Sequence, residues 1–140
     1  MDANFRNPCV CKYLDLQYNL GGIADFILED VQIADLLLKP KDENLVLLPS
    51  NKQLPGSADL LSSPKMQNLI LELKNRYPDR YVVFDCPNLL NIPDSLLFSA
   101  YVDAVILVVE AHKTSQDQIK QSLDLLKDKN ILGVVLNKSS

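Results

Sequence analysis

Hydrophobic and polar positions change their period along the chain. From Leu45 onward, short uninterrupted apolar runs at residues 45–48, 81–84, 105–109 and 131–136 alternate with segments of helical spacing. Runs of that length predict strands covered on both faces, as in the middle of a parallel sheet. Between them, Gly56-Ser57 opens a helical segment through Leu61, and Ser63-Pro64 restarts it with an N-cap serine and a first-turn proline. The helix that follows places Met66, Leu69, Ile70, Leu73 and Tyr77 at helical spacing and ends at Pro78. Pro93-Asp94-Ser95 begins a shorter helix through Tyr101, and Thr114 begins a polar-faced one with Ile119, Leu123 and Leu126 inward. Strand alternating with helix predicts a parallel α/β layer.

The first third is patterned more weakly. Residues 1–8 are polar and turn-like, and residues 9–18 predict a short helix with Val10, Tyr13 and Leu14 on one side. Gly21-Gly22 is a turn, after which Ile23, Phe26 and Ile27 fall at i, i+3 and i+4. Another short helix over 33–38 stops before Pro40. No internal repeat is present.

Candidate chemistry concentrates at Arg80-Tyr81-Val82-Val83-Phe84-Asp85-Cys86-Pro87. An apolar run ending in a carboxylate places Asp85 at a sheet's rim, where open α/β sheets bind ligands. In phosphate-handling folds an aspartate there holds Mg²⁺, directly or through water. The competing reading is a carboxylate that caps a loop or the next helix.

Composition narrows the classes. A chain of 140 residues with 47% hydrophobic and 23% charged residues is expected to form one globular domain, residues 1–140. Such a domain hides about two-thirds of its unfolded surface. A net charge of −4 and a pI near 4.9 offer no general surface for nucleic acid or anionic membrane. No apolar run approaches the ~20 residues that span a bilayer, so the expectation is a cytoplasmic protein without direct membrane insertion. The odd count of cysteines, Cys9, Cys11 and Cys86, favours reduced thiols. A zinc site from these three and His112 can be drawn, but it lacks paired C-x-x-C spacing.

Several segments together resemble one family. They are Asp2-Ala3-Asn4-Phe5-Arg6-Asn7-Pro8, residues 57–63, Asn75-Arg76-Tyr77-Pro78-Asp79-Arg80, residues 81–87, Val108-Val109-Glu110-Ala111 and Gly133-Val134-Val135-Leu136-Asn137-Lys138. In this order they are similar to the bacterial tyrosine autokinases of exopolysaccharide assembly, and more narrowly to the branch that accompanies exosortase-linked loci. These kinases are deviant-Walker P-loop ATPases, a class shared with septum-positioning and plasmid-partitioning ATPases.

The resemblance implies a three-layer α/β fold with a parallel sheet of P-loop NTPase type, ATP and Mg²⁺ as cofactors, and phosphoryl transfer to tyrosine. Asp85 matches the Walker B aspartate. Asp2 matches the first aspartate of a second acidic motif, usually Asp-x-Asp-x-Arg, that serves the metal and the attacking hydroxyl. Asn4 stands where the second aspartate is usual, and an amide ligates Mg²⁺ without bringing charge or basicity. Arg6 matches the motif's arginine, with a surface salt bridge as the alternative. Asn137 falls where related ATPases read the adenine edge, although asparagine after a strand is also an ordinary turn residue.

One departure is large. The family's loop G-x-x-x-x-G-K-[S/T] is nowhere in these 140 residues: Gly21, Gly22, Gly56 and Gly133 are the only glycines, and none precedes Lys-Ser or Lys-Thr. The expectation is therefore a kinase-type fold missing its first strand-loop-helix unit and inactive by itself. The family's tyrosine-rich tail is also absent, and the five tyrosines are expected to be mostly packed. Expected partners are a polysaccharide co-polymerase-type membrane activator, which would hold the chain peripherally at the inner membrane, or further copies of the chain. The alternatives are a non-catalytic protein docking on a full-length kinase or its activator and, with less support from Arg6 and Pro8, a partitioning-type ATPase.

Overall fold

A computed structural model of the chain describes residues 1–17, 21–29, 31–41, 44–53, 56–76 and 79–139. They form two compact units, Met1–Pro87 and Asn88–Ser140.

In the first unit, helices α1 (Val10–Tyr13), α2 (Ile23–Glu29), α3 (Ile33–Leu36), α4 (Ser57–Leu61) and α5 (Pro64–Arg76) accompany three extended segments. The Asp2 N–H donates to the Leu48 carbonyl at 3.0 Å, while the Ala3 N–H donates to Asp85 at 2.9 Å and the Asp85 N–H to Met1 at 3.0 Å. Asp2 thus lies between residues 48 and 85, in a parallel bridge with Asp85. Ala3, Phe5, Ile23, Leu61, Met66 and Leu69 are fully buried and form the core. The expected start of α5 is present: the Ser63 hydroxyl accepts from the Met66 N–H at 3.2 Å. Tyr77 and Pro78, at its expected end, lie outside the described residues, as does Tyr18.

Three expectations need correction here. The runs at 45–48 and 81–84 do not form strands; the first contributes one isolated bridge, Leu47 with Leu38, and the second is followed by another, Asp85 with Asp2. Nor is the second run covered on both faces, since Tyr81 is 99% and Val83 72% exposed while Val82 and Phe84 are half-buried. Among the described residues the backbone neighbour of this run is Met1 to Ala3. Helix α3 ends at Leu36, because Leu37 turns extended (φ −77°, ψ 126°) and Leu38 exchanges both backbone hydrogen bonds with Leu47 at 2.8 Å. The helix over 9–18 shrinks to α1, and Tyr13 is 83% exposed.

In the second unit, α6 (Pro93–Phe98) precedes β1 (Val105–Glu110), α7 (Gln116–Leu125) and β2 (Ile131–Asn137). The strands pair in parallel, Val108 with Val135 and Val109 with Leu136, and α7 supplies the crossover that parallel pairing requires. A reciprocal capping box starts α7: the Ser115 hydroxyl accepts from the Gln118 N–H at 3.2 Å, and the Gln118 side chain accepts from the Ser115 N–H at 2.9 Å. Both strands were expected, but not their exposure. Ile106, Val108, Leu132, Val134, Val135 and Leu136 are all exposed, because among the described residues this sheet has two strands and each has one open edge.

Candidate functional site

The site is built on the bridge between Asp2 and Asp85. Asp2 is buried, and its carboxylate is held by the turn that follows it. Oδ1 accepts from the Asn4 N–H at 3.1 Å, and Oδ2 from the Cys9 and Val10 N–H groups at 3.0 and 3.2 Å. Two of these donors open α1, so Asp2 caps that helix from seven and eight residues away. A carboxylate offers about four lone-pair positions, which leaves one on Oδ1. Asp85, by contrast, is exposed, and among the described residues no donor reaches its side chain.

Burial raises Asp2 above the ordinary carboxylate value; its backbone hydrogen bonds oppose this, and the neighbouring Asp85 charge adds to it. Asp85 is raised as well, by desolvation, with the Met1 ammonium opposing. Two carboxylates that both resist ionisation form a site that a cation would relieve. Cys86 beside them is pushed up to about 12, by burial and then by the Asp85 charge, and Cys9 is raised by the same causes. These thiols stay protonated at neutral pH, which excludes thiolate chemistry. Among the described residues no group of three or more His, Cys, Asp and Glu is arranged to hold a metal, and this includes the drawn zinc set of Cys9, Cys11, Cys86 and His112.

The other expected residues are dispersed. Asn4 sits at the start of a turn, its side-chain oxygen accepting from the Asn7 N–H at 3.2 Å. Arg6 is exposed on that turn. Asn137 ends β2 in the other unit, its Oδ1 accepting from the Lys138 N–H at 2.9 Å. There a Glu110 carboxylate holds Lys113 and Lys138, each at 3.0 Å. The tyrosines correct the packing expectation, for Tyr13 and Tyr81 stand exposed and only Tyr101 is half-buried among those described.

A buried polar cluster escaped the sequence reading. Asp25 accepts from the Gly22 N–H at 2.6 Å, the Asn51 side chain at 2.7 Å and the Lys52 ammonium at 2.5 Å. Gly22-x-x-Asp25 is a capping-box spacing and was visible in principle; the contribution of Asn51 and Lys52, more than twenty-five residues away, was not. Burial pushes Asp25 up, but Lys52 and the two other donors outweigh it and hold the carboxyl below its usual range. Both glycines are needed for this close approach: a Cβ at Gly22 would lie 2.6 Å from the Pro49 carbonyl, and one at Gly21 would strike the Asp25 carboxylate.

For Mg²⁺ the donor set fits. Hard oxygens from one or two carboxylates are what the ion takes from proteins, with the remaining positions left to water and phosphate, and Asp85 together with the open position of Asp2 offers that. For a nucleotide's phosphates the chain has no glycine-rich cradle.

An α/β chain with two carboxylates joined at the end of parallel-paired segments has the architecture of phosphate-handling proteins, and comparison with known proteins narrows the class. No family model matches the chain. A curated Staphylococcus aureus protein, "Putative tyrosine-protein kinase CapB", is 28% identical over 140 residues, covering 99% of this chain and 60% of that protein. The crystal structure of the VpsO kinase domain superposes with a TM-score of 0.89 at 26% identity, over 99% of this chain and 68% of that one. The chimerical protein CapA2B2 gives 0.87 at 27% identity, over 96% and 59%. The chain is thus similar along nearly its whole length to bacterial tyrosine-kinase domains, with their α/β fold of P-loop NTPase type, and spans about 60% of the curated relative's length.

Proposed function

We propose that this chain is the metal-carboxylate portion of an ATP-dependent protein-tyrosine autokinase, of the kind that regulates exopolysaccharide polymerisation and export, and that it is catalytically incomplete by itself. The observation that carries this reading is the bridge between Asp2 and Asp85, two residues 83 positions apart in sequence that meet through 2.9 and 3.0 Å backbone hydrogen bonds. Similarity to the VpsO kinase domain supports the kinase class.

In this reading Asp85 is the carboxylate that meets the ligand, because it is exposed and has no protein donor among the described residues. Asp2 works beneath it: buried and triply hydrogen-bonded, it fixes the turn through Asn4 and offers one remaining oxygen position. With that carboxylate so committed, Asp2 orients rather than takes a proton. Asp85, Asp2 and the Asn4 amide would hold Mg²⁺, which when bound neutralises charge on the transferred phosphoryl group. In this reading Arg6, on the adjoining turn, serves the phosphate, and the family resemblance assigns Asn137, at the carboxyl end of β2, to the base. The reaction class is transfer of the terminal phosphoryl of ATP to a tyrosine hydroxyl. Partners in this reading are a co-polymerase-type membrane activator or further copies, and the location is the cytoplasmic face of the membrane; among the described residues no helix is long and apolar enough to cross it.

The test is calorimetric and then kinetic. A polypeptide of these 140 residues should show no micromolar affinity for ATP-Mg²⁺, since the anion cradle is absent. Fused behind a segment bearing G-x-x-x-x-G-K-[S/T] from a related kinase domain, it should bind ATP and autophosphorylate. Asp85→Ala in that fusion should abolish phosphorylation and leave the circular dichroism spectrum unchanged; full activity in the variant would reject the assignment.

A further inference from the structure

One side chain ties the carboxyl ends of β1 and β2 together. Glu110, the last residue of β1, lies opposite Asn137, the last residue of β2. Thr114, just ahead of α7, fixes its backbone from both sides: the Glu110 N–H donates to the Thr114 hydroxyl at 3.2 Å, and the Glu110 carbonyl accepts from the Thr114 N–H at 3.0 Å. From that anchor the carboxylate accepts from Lys113 Nζ through one oxygen and from Lys138 Nζ through the other, each at 3.0 Å. The two ammonium groups, Lys113 first, hold Glu110 below the usual carboxylate range. Lys138 adopts φ +56°, a left-handed backbone that residues other than glycine keep only where their surroundings enforce it. In that conformation its N–H donates to Asn137 Oδ1 at 2.9 Å. An N–H is answered only by an acceptor, so turning the Asn137 carboxamide over would break this bond. The amide is thus held with its oxygen toward Lys138, and it stands exposed at the strand's end.

We propose that Glu110 is a positioning residue for base recognition: by holding Lys138 it fixes which way the Asn137 amide faces, and with it the choice of adenine over an oxo-purine. The inference rests on the assignment of Asn137 to the base made above. Adenine presents an amino donor beside a ring-nitrogen acceptor, whereas hypoxanthine presents an oxygen acceptor beside a ring N–H donor. The Asn137 oxygen keeps a second lone pair and its nitrogen two N–H groups, enough to answer a donor and an acceptor side by side. An anchored amide answers one of these two patterns. An amide free to turn over answers both, so the discrimination lies in the anchor rather than in Asn137 alone.

Two measurements test the proposal. In NMR spectra of the full chain without ligand, Glu110→Gln and Lys138→Met should each speed hydrogen exchange at the Lys138 N–H and shift the Asn137 side-chain amide signals. Glu72→Gln, which removes an equal charge from the α5 pair with Arg76, should move neither. In the fusion that carries the glycine-rich loop, Glu110→Gln should raise KM for ATP by about threefold, the size of an exposed ion pair, with the change in KM rather than kcat. The preference for ATP over ITP should fall by a similar factor. Unmoved exchange at Lys138 would overturn the inference and leave the kinase reading standing, and so would an ATP-to-ITP ratio that changes in Asn137→Ala but not in Glu110→Gln. A fusion in which Asn137→Ala changes neither KM nor that ratio rejects the assignment of the base, a fusion that binds no ATP rejects the kinase reading, and the inference falls with either.

Discussion

Asp2 and Asp85 are paired backbone to backbone. The Ala3 N–H donates to Asp85 and the Asp85 N–H to Met1, at 2.9 and 3.0 Å, and the parallel bridge this makes puts both side chains on one face of the pairing. The two carboxylates are nevertheless unlike. One is buried and accepts three N–H groups, while the other is exposed and, among the described residues, receives no side-chain donor; in the proposed reading the first is structural and the second faces the ligand.

The structural role is measurable. Asp2→Ala would leave the N–H groups of Asn4, Cys9 and Val10 without their acceptor, in a partly buried turn. Stranding buried donors costs about 1–3 kcal/mol each, less where water enters, and we expect a total loss of about 2–3 kcal/mol in urea unfolding. Hydrogen exchange at Cys9 and Val10 should accelerate, since α1 loses its cap. Unchanged exchange there would show that the carboxylate does not hold the helix.

The pH dependence of stability separates three aspartates, Asp2 and Asp25, which are buried, and Asp85, which is exposed. Asp2 and Asp85 have folded values above the ordinary 3.8, so they bind more protons folded than unfolded. Their contribution is therefore most favourable in acid and declines as the pH rises through the folded values. Asp25 is lowered, so its contribution is present above 3.8 and is lost as the pH falls through the folded value. Urea midpoints across the acid-to-neutral range should show Asp85→Asn more stable than the parent at neutral pH. They should show Asp25→Asn less stable there, with the difference closing in acid.

What could be read from the sequence divides along the line between local and long-range causes. Helix α5 and its Ser63 cap, helix α7, β1 and β2 were legible because propensity, capping and periodicity act within a few residues. The apolar run at Tyr81 was misread because periodicity reports what a segment is able to bury, not whether neighbours exist to cover it. Val83 is 72% exposed although the run is paired through Met1 and Ala3. Asp2 and Asp85 were picked out through the family resemblance and a strand-end argument, but that Asp2 would spend its carboxylate on Cys9 and Val10 followed only from the turn's geometry. The Asp25 cluster was missed because two of its three donors come from Asn51 and Lys52, remote in sequence.

That cluster also makes a steric prediction. The Gly22 backbone packs against the Pro49 carbonyl and Asn51, and the Ile23 N–H is bonded to the same Pro49 carbonyl at 2.8 Å. A methyl group there meets backbone, which cannot rotate away, so Gly22→Ala should cost about 1–3 kcal/mol through overpacking. Gly133→Ala, in open space, should change stability little. Chemical denaturation of the two variants side by side distinguishes this from a general intolerance of glycine replacement; equal losses would refute it.

Asn4 carries the last prediction, because its N–H is bonded to the Asp2 carboxylate and it contributes no charge of its own. Its N–H donates to Asp2 Oδ1 and its side-chain oxygen accepts from the Asn7 N–H, and an aspartate in its place keeps both bonds. Asn4→Asp would set a third negative charge beside two carboxylates that already resist ionisation. Without metal the repulsion should lower the melting temperature; a divalent cation should more than restore it. A difference of about 1 kcal/mol shifts the midpoint of a domain this size by roughly 2–4 °C, within reach of a thermal titration with Mg²⁺. The variant should therefore melt below the parent in chelator, gain more on addition of Mg²⁺, and lose that gain when Asp85→Ala is combined with it. If Asn4→Asp responds to Mg²⁺ no more than the parent does, residue 4 lies outside any metal site formed by Asp2 and Asp85, and the carboxylate pair must hold its cation without it.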